Sequence, residues 1–190
     1  MLGRICMISL MLAISSASTF SLADERERRI ALKDDHRCPL KISSVKAKGK
    51  QIDTSKPFID GDDWLRGLTV EVVNPSELTV TFVQVELFFP HPDKKPGASF
   101  TIDYGDNPFR YNSAAEMPLL SVKPVLPGGN VELGLTDAHL PSIASLLQAA
   151  EIKTNDYVRI RVNLIGFSDG TAWTGQMAQR NPKGGWMPLR

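Results

Sequence analysis

Two cysteines are all that this chain of 190 residues contains, Cys6 and Cys38. Long apolar runs are missing as well. The most extended, residues 5–14, falls well short of the roughly 18 residues that cross a bilayer. Arg4 precedes that run, and small residues follow it, with Ser21 and Ala23 placed as a signal peptidase reads them. Residues 1–23 are therefore expected to be a cleaved export signal, the mature chain lying in the periplasm or outside the cell. Cys6 leaves with that segment, so Cys38 has no internal disulfide partner and is expected to be a buried thiol. An intermolecular bridge or a reactive thiol is the alternative.

An excess of one charge is also lacking. The formal net charge is +1, and Arg4 is the only charged residue of the first 23, so the mature chain is balanced. A balanced chain has no overall field to draw it to nucleic acid or an anionic membrane. Neither is expected as a partner, and no membrane span is expected once the signal is gone.

What the sequence has is alternation. Leu68, Val70 and Val72 share one face, and Asn74-Pro75-Ser76 stops the run. Leu78, Val80 and Phe82 then lie on one side before the apolar phase moves to Val83, Val85, Leu87 and Phe89. A shift of one residue within a strand is what a β-bulge produces. Val131, Leu133 and Leu135 follow the turn Pro127-Gly128-Gly129, and Val158, Ile160, Val162 and Leu164 form the clearest strand. A glycine turn leads from it into a strand over residues 171–177, making a hairpin. Further strands are expected over residues 40–46, 100–104 and 119–122. Ile143, Leu146, Leu147 and Ala150 recur at helical spacing behind Pro141, predicting one short helix over residues 141–150.

The expected fold is all-β: an immunoglobulin-like antiparallel sandwich with one short helix. It would form a single domain over residues 38–178, with a charged, flexible lead-in over 24–37 and an irregular tail over 179–190. Trp186 is the residue that could pin that tail back. Tyr157 stands where such sandwiches often place a corner tyrosine.

Chemical signatures fail one by one. Gly166-Phe167-Ser168-Asp169-Gly170 has the spacing of a nucleophile elbow, but strand residues rather than a helix follow it, and no histidine does. It reads as a hairpin turn. Ser43 and Lys46 have S-x-x-K spacing within a strand, where residues three apart face opposite sides. His36, His91 and His139 are scattered and lack zinc-ligand spacing, and no cofactor is expected. Asp60, Asp62 and Asp63 could supply part of a weak calcium site, but no glutamate closes the loop. With Asp103 and Asp106 they are also the candidate carboxylates of a hydrolase. Phe109 and Tyr111 lie in a long loop-like stretch and are the candidate binding-loop residues.

The stretch from Leu68 to Phe89 around Asn74-Pro75-Ser76, and Leu126-Pro127-Gly128-Gly129-Asn130-Val131 with the Val158 strand, resemble exported bacterial modules of the FxLYD-like and immunoglobulin-like kind. The resemblance covers the pattern from Leu40 to Met177. It implies a non-catalytic accessory module that binds a protein or envelope component through loops or a sheet edge, and it carries over no site residue. An exported hydrolase using loop carboxylates and a calcium-stabilised adhesion domain are the alternatives.

Overall fold

The structure, a computed structural model, describes residues 25–111, 122–180 and 185–189. In chain order the strands are β1 (Arg26–Leu32), β2 (Lys41–Ala47), β3 (Lys50–Gln51), β4 (Phe58–Asp60), β5 (Thr69–Val73), β6 (Val80–Phe89) and β7 (Ala98–Gly105). After a 3-10 turn at Pro108–Arg110 come β8 (Asn130–Gly134), the helix α1 (Leu140–Ala149), β9 (Tyr157–Phe167), β10 (Thr171–Trp173), β11 (Met177–Arg180) and β12 (Trp186–Pro188).

Two sheets result. One runs β3-β2-β5-β8, entirely antiparallel. The other is built on β9, which pairs with β6 along one edge and with β1 and then β10 along the other. β7, β4, β11 and β12 extend it to eight strands. All its pairings are antiparallel except β1 with β9. Val45, Val70, Val72 and Leu133 of the smaller sheet join Ile30, Val83, Val85, Leu87, Val158 and Ile160 of the larger in one buried core. The architecture is therefore the expected all-β sandwich with one short helix, and α1 begins one residue before its expected start.

Asn74 makes the corner between the sheets. Its buried side chain donates to the carbonyls of Leu78 (2.8 Å) and Val125 (3.1 Å), and its backbone N–H donates to Gly129 (2.9 Å). The Asn74-Pro75-Ser76 break thus moves the chain from β5 in one sheet to β6 in the other. The bulge expected in β6 is present as register shifts against β9, between Val80 and Phe82 and again between Gln84 and Val85.

Three expectations need correction. The stretch read as a flexible charged lead-in is, over Arg26–Leu32, a strand with Ile30 fully buried in the core. Its charge density misled because the guanidinium of Arg28 is buried against carboxylates rather than solvated. The tail read as irregular contributes the end of β11 and all of β12, which pair in register from Ala178↔Pro188 to Arg180↔Trp186. The expected strand over residues 171–177 is the whole of β10 and the first residue of β11, which fold back on each other at Gly175. Residues 119–121 of another expected strand lie outside the described residues.

Candidate functional site

The two ends of β9 differ in chemistry. At its amino-terminal end, the alternation of β1 sends Arg28 inward beside Ile30, and its side chain is fully buried. A buried guanidinium is tolerated when its fork of donors is matched. Pairing of β1 with β4 brings in the Asp60 carbonyl at 3.4 Å from Nε, and just beyond β4 the Asp62 carboxylate stands 2.8 Å from Nη2. The parallel pairing with β9 brings the Asn155 amide oxygen to 3.2 Å from Nη1, which also donates to Asp156. Trp64 Nε1 donates to the Asn155 carbonyl at 3.1 Å and fixes that loop from the core side. Arg26 shares Asp62 at 3.0 Å.

The carboxylates proposed for calcium are spent on these cations. Asp62 faces the two arginines, while Asp60 and Asp63 each lie 2.7 Å from Lys48 Nζ. Hydrogen bonding to both carboxylates holds Lys48 above the usual ammonium range, and Lys48 draws Asp63 below the usual carboxylate range. Among the described residues, no group of three or more His, Cys, Asp or Glu is gathered as a metal site.

Beside this network opens a cleft of about 1000 Å³ between α1, the loop after β6 and the loop entering β9. Ala144, Leu147 and Ile152 supply its apolar side. Arg26, Asp62, Asp93, Lys95, Glu151 and Lys153 supply the charge. Glu151 takes a φ of +57°, and the Ile152 N–H returns 2.9 Å to the Leu147 carbonyl. That turn ends α1 and lays residues 152–155 along the cleft. Lys95 and Glu151 close a salt bridge at 2.8 Å across the rim. His91 is nearly buried in the wall, and its Nδ1 accepts from the Asp93 N–H at 3.1 Å. The ring proton therefore sits on Nε2, a buried donor with no partner among the described residues.

The other end of β9 is aromatic. Phe109, in the 3-10 turn, stacks on Trp186 with ring centroids 4.2 Å apart. Trp186 thus pins the carboxy-terminal strand to the loop, as its position suggested, and the half-buried Phe109 acts as a clasp rather than an open anchor. Tyr111 is half-buried next to it, and residues 112–117 of that loop lie outside the described residues. Asp103 accepts from Gln84 at 2.9 Å and lies 3.9 Å from Arg110. By strand register, Asp103 and Asp60 stand at opposite ends of β9, roughly 30 Å apart along the strand direction. Carboxylate pairs that hydrolyse glycosidic bonds stand within about 10 Å, so the two acidic sets do not combine.

Ser168 lies in the β9–β10 turn. Gly170 adopts a φ of +82° there, and a Cβ on Gly166 would come within 2.9 Å of Pro108. Both glycines of the apparent elbow are thereby explained by turn geometry and packing. Ser43 and Lys46 are on a strand, where Ser43 Oγ donates to the Glu71 backbone carbonyl at 3.3 Å and Lys46 Nζ to the Glu132 carboxylate at 2.9 Å. Burial of Cys38 pushes its thiol up to about 11, so it stays protonated at neutral pH.

Sequence reasoning missed Arg28, His91, Lys153, Asn155 and Asp156. The inward phase of Arg28 relative to Ile30 was the one available signal. Among the described residues, no helix is long and apolar enough to cross a membrane. In comparisons with protein families, curated proteins and solved structures, nothing matches this chain.

Proposed function

We propose that the chain is an exported, non-catalytic binding module that takes a protein or envelope component in the cleft beside Arg28. The carrying observation is the cleft itself, of a size typical of ligand sites, set on a guanidinium hub whose hydrogen bonds hold its walls. Lys153 and Asp93 stand on its rim with no ion pair among the described residues, which leaves one charge of each sign for a partner. The pattern of residues 1–23 supports export, and the resemblance to FxLYD-like and immunoglobulin-like modules supports an accessory role. The engagement of Asp60, Asp62 and Asp63 with cations favours this reading over a carboxylate hydrolase or a calcium-stabilised adhesion domain.

The test is capture from the native envelope. The exported chain should begin at Asp24 by mass spectrometry and should retain a defined partner. Lys153→Glu and Asp93→Lys should each release that partner without unfolding the chain. Equal retention by both variants, or recovery of the chain only from the cytoplasm with its first 23 residues intact, would overturn the proposal.

A further inference from the structure

We infer that the outer face of the eight-stranded sheet docks an acidic polypeptide segment in extended conformation. This inference is independent of the end cleft and rests on different residues. Strand alternation places Arg29 and Lys33 of the β1 side, Tyr157, Arg159 and Arg161 of β9, and Glu86 and Phe88 of β6 on this one face. Lys33, Glu86, Phe88, Arg159 and Arg161 line a shallow groove of about 170 Å³.

The cations differ in how they are held. Arg161 is tied to Glu86, whose other oxygen accepts from Ser99 at 2.8 Å. Arg159 lies over the Phe88 ring at 5.3 Å and the Tyr157 ring at 5.8 Å, which fixes its guanidinium while leaving it exposed. Arg29, Lys33 and Arg159 have no ion pair among the described residues. Glu27 flanks Arg29 towards β4, and Asp34 and Asp35 follow Lys33, so acidic residues bound the β1 side of the patch at both ends.

Charge complementarity calls for an anionic occupant, and the remaining geometry selects its kind. Phe88 and Tyr157 are both engaged with Arg159, so neither offers a bare ring for stacking a nucleobase or a sugar. Among the described residues that line the groove, Phe88 is the one apolar side chain and it lies under Arg159, while the exposed Ile59 stands outside the groove on β4 beside Glu27. What the face does offer is cationic heads along the strands: Arg159 on β9, with Arg161 two positions on but paired to Glu86, and Arg29 and Lys33 four positions apart on the β1 side. Two positions of strand span about 6.6 Å. An extended peptide with acidic residues at alternate positions carries carboxylates at multiples of that spacing, so it can reach Arg29 and Lys33, four positions apart, as well as Arg159. The planar guanidinium fork of Arg159 suits a carboxylate, and its prior immobilisation on two rings lowers the ordering cost of binding.

The purified chain is titrated against a fluorescent synthetic peptide alternating Glu and Thr, followed by anisotropy at low and high salt. Binding should weaken as salt rises. Arg159→Glu and Lys33→Glu should each lower affinity about tenfold or more. Arg159→Lys should give a partial loss, because an ammonium keeps the charge but not the planar stack. Lys56→Glu, on an exposed loop residue outside the face, should change nothing. Absence of binding would overturn the inference, as would unchanged binding by an Arg159→Glu variant with wild-type circular dichroism. Tighter binding to heparin or to vesicles of anionic phospholipid than to the peptide would overturn the polypeptide occupant.

Discussion

Arg28 shows how one side chain can decide whether a charged segment is solvated or structural. The guanidinium is out of solvent, and four of its five N–H groups are donated, to the Asp60 backbone carbonyl, the Asn155 amide oxygen and the carboxylates of Asp62 and Asp156. Removing one partner of such a set leaves the others uncompensated and a space behind. Arg28→Ala is expected to lower stability by about 3 kcal/mol, measured by urea unfolding. A loss below about 1 kcal/mol would mean that the network is ornamental. Cys38 is decided by desolvation. Its ordinary value of 9.0 is raised to about 11 in the folded chain. The folded state thus holds its proton over a range in which the unfolded state has lost it, so stability falls as pH rises from about 9 to 11. At pH 8 the native thiol should react with a thiol reagent about a hundredfold more slowly than in denaturant. Equal rates would contradict its burial.

At the scale of elements, the β9–β10 hairpin separates packing from chemistry. Gly166 has no room for a methyl group, since its Cβ would meet Pro108 at 2.9 Å and Phe82 at 3.2 Å. Gly166→Ala should cost about 1–3 kcal/mol in thermal or urea unfolding, whereas Ser168→Ala should stay within about 0.5 kcal/mol. The reverse order would restore a functional reading of that serine. Period-two alternation made β5, β6, β8 and β9 legible, because each turns one row of Val, Ile or Leu into the core, although the opposite row of β6 is itself buried or half-buried. The phase change in β6 announced its bulge, and helical spacing placed α1. Where charge was taken as a mark of solvent the reading failed, and β1 was lost in a run of arginine and glutamate. The pairing partners of β1 come from residues about 30 and 130 positions further along, and no local pattern reports them. The cleft was illegible for the same reason: α1, the His91 loop and the Lys153 loop meet only in the folded chain. The acidic run at Asp60 was visible, but its arginine and lysine partners were not.

For the molecule as a whole, a near-neutral net charge conceals a strong local division. One end carries the arginine–carboxylate network and the open cleft, the other the Phe109–Trp186 clasp, and the outer sheet face a set of held cations. The single core joins all three, so each surface is displayed on a rigid body. The measurement that tests the account most directly is amide hydrogen exchange on the chain alone and with its captured envelope partner. The account predicts new protection over residues 91–95 and 151–155, around the cleft, with the Phe109 end unchanged. Protection confined to the Phe109 and Tyr111 loop, with the cleft exchanging as it does in the unbound chain, would contradict it.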